Sequence, residues 1–171
     1  MIAREAHITP SLLQKYYPEK EAILEAFVEH AVGEIDIFTT AVHKTIATTS
    51  DARSMLRMIG LRYVDFVDRM RGFYLTWIMN PETIKPYNEA LPDFITLNHR
   101  ILAAALARRT VLDEGTAIAR VLVFFSSLFA WVIYYSRVGA SIPESAEQRV
   151  DRLVEMLTED AGQTTAALIG S

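Results

Sequence analysis

Apolar residues recur every three or four positions through almost the whole of this chain, and that spacing confines it to helices. From residue 19 to about 48 they fall at Leu24, Phe27, Val28, Ala31, Ile35, Phe38, Val42 and Ile46. Thr48-Thr49-Ser50-Asp51 breaks the run, and Ser50 or Asp51 is placed to cap a second long helix. That helix carries Met55, Leu56, Ile59, Tyr63, Phe66, Val67, Met70, Phe73, Tyr74, Trp77 and Ile78, with Arg57, Arg62, Asp65, Asp68, Arg69 and Arg71 between them. Pro81, Pro86 and Pro92 punctuate the next stretch of chain, which reads as one short helix and a loop. A further helix is expected from Leu91 or Pro92 to Arg109, with Phe94, Leu97, Ile101, Leu102 and Leu106 inward and Arg108 and Arg109 at its negative end. Others are expected over 116–137, stopped by Gly139, and from Pro143 onward, with a frayed tail over 162–171. No segment reads as a strand, so the expected fold class is all-α.

Composition agrees with a globular helical body. Half of the 171 residues are hydrophobic, glycine and proline are few, and there is no cysteine. Disulfides and thiolate metal sites are thereby excluded, and a reducing cytoplasm is the natural setting. The net charge of −4 does not favour a general nucleic-acid binder. The sign is uneven, however. Arg4, Lys15 and Lys20 outnumber Glu5 and Glu19 at the start, so a mildly basic end sits on an acidic body.

That basic end has its own pattern. Ile2, Ala3 and Ala6 give an apolar helical face, and His7-Ile8 would make a turn. Thr9 is a good N-cap, and Pro10 stands at the first helical position, where its missing N–H costs nothing. Leu12 and Leu13 give a short second helix an apolar side, and Tyr17-Pro18 stops it. Glu19 and Glu21 open the next helix with the charge its positive end prefers.

This segment resembles the DNA-binding signature of the TetR family of bacterial transcription regulators, roughly I-A-x-x-A-G-V-S-x-x-x-L-Y-x-Y-F-x-x-K-E-x-L. Ile2, Ala3, Ala6, Ile8, Thr9, Leu13, Tyr16, Tyr17, Lys20, Glu21 and Ile23 fall in register with it. His7 stands in place of the usual turn glycine, and Gln14 in place of a DNA-contacting tyrosine. The resemblance implies a helix-turn-helix over residues 1–18 and a ligand-binding and dimerisation domain over 19–171. It further implies a helix before residue 1, so the sequence is expected to be N-terminally truncated. The upstream reading frame should then encode an amphipathic helix.

If the second helix enters the major groove, Pro10, Ser11, Gln14 and Lys15 face base edges or sugars, while Thr9, Tyr16 and Lys20 touch phosphates. The bland alternative is an ordinary helical corner. Aromatic side chains supply the second candidate site. Tyr63, Phe66, Met70, Phe73, Tyr74 and Trp77 lie on one helix, Phe94, Asn98 and Ile101 on another, and Phe125 and Phe129 on a third. They read either as plain core or, as the resemblance implies, as a pocket for a small apolar or aromatic ligand. Tyr63, Tyr74, Trp77, Asn98 and His99 would supply its polar groups.

Residues 121–135, VLVFFSSLFAWVIYY, form the most hydrophobic stretch. Bracketed by Arg120 and Arg137, it is shorter than the roughly 20 apolar residues a membrane span needs. The resemblance implies instead that this helix and the last one pack against their copies in a homodimer. Phe124, Leu128, Trp131 and Tyr135, with Val150, Leu153, Val154 and Leu157, are the expected interface residues. No histidine pair has metal-ligand spacing, and no nucleophile elbow, phosphate loop or dinucleotide fingerprint occurs, so neither a metal, a cofactor nor an enzyme is expected. The expected function is a ligand-released repressor that binds a palindromic operator as a dimer. The alternative is a dimeric helical small-molecule-binding or interaction module without DNA binding.

Overall fold

A computed structural model describes residues 9–79, 82, 91–138 and 144–169. The side chains of Pro10, Leu13, Lys20, residues 91–94, 135–138 and those beyond Thr158 are outside the described set. All described regular structure is helical: α1 (Pro10–Tyr16), α2 (Lys20–Thr48), α3 (Ala52–Arg69), α4 (Arg71–Met79), α5 (Leu91–Ala107), α6 (Glu114–Val138) and α7 (Ala146–Ile169). The expected turn at His7-Ile8, the helix before it and the short helix over 80–90 lie outside the described residues.

Local chemistry sets most of the boundaries. The Thr9 hydroxyl accepts from the Leu12 N–H at 3.2 Å and so caps α1. Asp51 caps α3 by accepting from the Ser54 N–H at 2.7 Å, which holds its carboxyl below the usual carboxylate range. Asp113 does the same for α6, accepting from both the N–H and the hydroxyl of Thr116. That helix therefore starts at Glu114, two residues before the start expected from the sequence. Ser145 and Gln148 exchange side-chain and backbone hydrogen bonds at 3.3 and 2.8 Å, a capping box that opens α7.

Three expectations need correction. The second long helix is not continuous: it stops at Arg69 and resumes at Arg71, with Met70 at φ −89° and ψ 6°. Gly72, a poor helix former, lies at the break. On α5, Leu97 faces out and is 56% exposed, whereas Leu102 and Leu106 are fully buried. The buried face of α5 thus runs one position later than the apolar stripe indicates. Along α7 the helix continues to Ile169, where composition alone predicts fraying.

α3 is the centre of the body. Its Met55, Leu56, Ile59 and Val67 are wholly buried, and it packs against α2, α6 and α7. α5 lies along α6, and α6 also touches α7. Each fully buried large side chain contributes about 1.5–3 kcal/mol. Ion pairs add orientation more than stability: Arg57 meets Asp151 of α7 at 2.6 Å and Arg69 meets Glu34 of α2 at 3.2 Å, both with exposed arginines.

Candidate functional site

The first candidate is α1. Only seven residues long, it presents Ser11, Gln14, Lys15 and Tyr16 to solvent, with Tyr16 68% exposed. Thr9 is also exposed and is tied to the helix it caps. The side chains of Pro10 and Lys20 lie outside the described set. Tyr17, Pro18 and Glu19 break the helix, and α2 begins one residue later with Glu21 in its first turn.

The second candidate is a half-open cavity of about 350 Å³ between five helices. α2 supplies Ile35, Phe38, Thr39 and Val42, and α3 supplies Tyr63 and Phe66. Tyr74, Trp77 and Ile78 come from α4, and Ile95, Asn98, His99 and Leu102 from α5. Phe125, Ser126 and Phe129 of α6 complete the lining. Ring contacts hold these walls together. Tyr63 meets Phe125 edge-on at 4.6 Å, Tyr74 meets Phe129 edge-on at 5.1 Å, and Phe38 stacks on Phe66 at 4.7 Å.

The structure therefore brings together Tyr63, Phe66, Tyr74, Trp77, Asn98, His99, Phe125 and Phe129 of the residues named from the sequence. It leaves others out. Met70 and Phe73 are buried core residues, Phe73 packing on Phe27 at 5.5 Å. The break after Arg69 helps to turn Tyr74 and Trp77, and not Phe73, toward the cavity. Ile101 is half-buried beside it without lining it, one position off the inward face. The side chain of Phe94 is outside the described set. The contribution of α2 is the largest omission. Ile35, Phe38 and Val42 read simply as a core stripe, and the only hint is Thr39, a small polar residue on that same stripe.

Three polar groups on the lining sit in an apolar environment that suppresses their charge. Burial pushes the Tyr63 and Tyr74 hydroxyls far above the ordinary phenol range, with the nearby Tyr74 adding to the effect on Tyr63. Burial lowers the imidazole of His99, which stacks on Phe125 at 5.1 Å, so it stays neutral. Because the folded-state phenol values are raised, the stabilising contribution is complete below the unfolded value of about 10 and is lost above it. Absorbance titration should show two of the seven tyrosines ionising only together with alkaline unfolding. Tyr63→Phe and Tyr74→Phe should each remove one of them. Smooth ionisation of all seven in the folded chain would contradict this.

Most of the expected interface residues are buried within the chain. Phe124, Leu128, Val150 and Val154 are at most 2% exposed, and Leu153 and Leu157 are buried as well. They join α6 and α7 to α3 within one chain, so they are core. Trp131 is half-buried, and the side chain of Tyr135 is outside the described set. The outward face of α6 instead shows Leu122, Val123 and Tyr134, and α7 shows Met156, each at least 45% exposed. By length and composition, residues Glu114–Tyr134 could cross a membrane, with a mean hydropathy of 2.0. That apolar run is longer than the bracket of Arg120 and Arg137 implies. A third of its most apolar window is buried inside the chain.

Comparison with known proteins gives one partial likeness. The chain is 27% identical over 77 residues to the HTH-type transcriptional regulator BetI of Burkholderia lata, a match that spans 45% of this chain and 39% of that protein. No family model matches the chain. No solved structure matches it either. The chain is thus an all-helical protein that is similar, over less than half its length, to a transcriptional regulator.

Proposed function

We propose that this chain is a TetR-like DNA-binding transcription regulator, a cytoplasmic repressor that acts as a homodimer and releases its operator when a small molecule enters the cavity. The observation that carries this reading is the course of α2. It begins after a three-residue break from α1, and further along it lines the cavity with Ile35, Phe38, Thr39 and Val42. One rigid element thus connects the surface that would read DNA to the site that would take the ligand. The partial likeness to a transcriptional regulator supports the same reading.

In this mechanism Ser11, Gln14 and Lys15 reach base edges, and Thr9 and Tyr16 reach phosphates. Gln14 suits adenine and Lys15 guanine. Two copies of α1 about one DNA turn apart grip a near-palindromic site. A second subunit covers Leu122, Val123 and Tyr134 of α6, which the chain leaves exposed. Ligand in the cavity favours a tilt of α2 that no longer matches the groove spacing, with a coupling of about 1–3 kcal/mol.

The test is titration of a labelled fragment of the gene's own upstream DNA with the 171-residue chain and with a version extended upstream in frame, against excess competitor. Binding by either should weaken steeply with salt, by a log–log slope of about −0.9 per phosphate contact. Binding by the extended form alone places DNA reading in a unit that needs the preceding segment. Failure of both overturns the regulator reading in favour of a helical small-molecule-binding module.

A further inference from the structure

We propose that the cavity takes an uncharged, planar aromatic molecule bearing a hydrogen-bond acceptor such as a carboxamide or ketone oxygen, and rejects anions and cations of the same shape. The proposal rests on the ligand-released reading and names the class of ligand.

Charge is the first argument. Among the described residues, no Asp, Glu, Lys or Arg lines the cavity. An ion entering it would shed its hydration and meet no countercharge, a cost of several powers of ten in affinity unless the site compensates. His99, the one lining group that could become cationic near neutrality, is held neutral by its burial. The cavity therefore suppresses charge on its own walls, and it would do the same to a guest.

Shape is the second. Two pairs of stacked rings line the space: Phe38 on Phe66 with planes 13° apart, and His99 on Phe125 with planes 25° apart. Flat walls of this kind accept a flat guest by offset stacking. A volume of about 350 Å³ lies at the lower end of ligand pockets and suits a bicyclic or tricyclic skeleton.

Hydrogen bonding is the third. Tyr63 and Tyr74 both line the cavity, and neither hydroxyl hydrogen-bonds to another described residue. The indole N–H of Trp77 is in the same position. These donors border the cavity with no protein partner among the described residues, so a guest that offers an acceptor gains more than a pure hydrocarbon. The indole can only donate, and neutral phenols donate better than they accept, so an acceptor on the guest is the complement.

Three probes of one skeleton separate the possibilities: 2-naphthamide, which is neutral, 2-naphthoate, an anion, and 2-naphthamidine, a cation. Calorimetric titration of the whole chain near neutral pH, without DNA, should show one naphthamide bound per chain. Both ions should bind at least about thirtyfold more weakly. Tyr63→Phe and Tyr74→Phe should each weaken naphthamide by roughly three- to tenfold, with helicity by circular dichroism unchanged. Comparable or tighter binding of the amidine would overturn the proposal in favour of an aromatic cation cage. Comparable binding of the naphthoate, or no binding of any probe at millimolar concentration, would overturn it outright. The charge series uses the unaltered chain, so it stands even if a variant misfolds. Direct binding is read apart from DNA release, so this proposal and the regulator reading can fail independently.

Discussion

Replacing Arg109 with alanine should cost the chain about 2–4 kcal/mol of stability, a fall of about 5–12 °C in melting temperature. Arg109 sits just past the end of α5, yet most of its hydrogen bonds serve another helix. Its guanidinium donates to the Thr49 carbonyl at 2.9 and 3.0 Å and to the Ile46 carbonyl at 2.6 Å, both at the end of α2. A fourth bond, at 2.9 Å, returns to the Ala105 carbonyl of α5. One cation thus satisfies the exposed carbonyl ends of two helices and fixes their relative position. Lysine at this position keeps the charge but not the planar fork, so Arg109→Lys should recover less than half of the loss. Full recovery by lysine would show that only the charge matters. Because α2 also forms a wall of the cavity, Arg109→Ala should weaken naphthamide binding although residue 109 does not line it.

Arg109 also shows what the sequence could and could not reveal. Its place at the negative end of a helix is legible, since the apolar stripe of α5 ends there. Its bonds to Ile46 and Thr49 are not, because nothing in local spacing says that α2 and α5 end side by side. The same division recurs elsewhere. The limits of α2 come from Pro18 and from the break at Thr48-Thr49-Ser50-Asp51, and the structure gives Lys20–Thr48. Whether Phe38 faces packed core or cavity depends on how α4, α5 and α6 are arranged around it. For α6 the difficulty is greater. It is apolar on more than one side, so periodicity shows that much of it is covered but not by what. Phe124 and Leu128 turn to α3 of the same chain, leaving Leu122 and Val123 outside. Most of the residues expected at an interface are for this reason already buried within one chain. Of α1, the cap at Thr9 and the stop before Pro18 are visible in the residues themselves.

Gly60→Leu should be the most damaging single substitution in the body, with a loss of about 3 kcal/mol or more. At Gly60 the backbone of α3 passes so close to α6 and α7 that a Cβ would lie 2.7 Å from Cζ of Phe124 and 2.9 Å from Cγ1 of Val150. Both neighbours are wholly buried, so neither has free space to move into. A helix interior ordinarily favours alanine over glycine by about 0.8–1 kcal/mol. Here that preference is opposed by overpacking of about 1–3 kcal/mol. Gly60→Ala should therefore be neutral to destabilising by about 2 kcal/mol, and leucine far worse. Chemical denaturation of the two variants checks the order. The contact itself is checked by shortening the ring it meets. Phe124→Leu should be destabilising alone through the void it leaves, but less so in the Gly60→Ala background, by about 1 kcal/mol. Strict additivity would mean that α3 and α6 are farther apart than the structure shows. The cavity would feel the same disturbance, because Phe125 follows Phe124 directly and meets it ring to ring at 5.6 Å. Displacing Phe124 should drag Phe125 away from Tyr63 and His99, so Gly60→Ala should weaken naphthamide binding by more than its stability loss alone would explain.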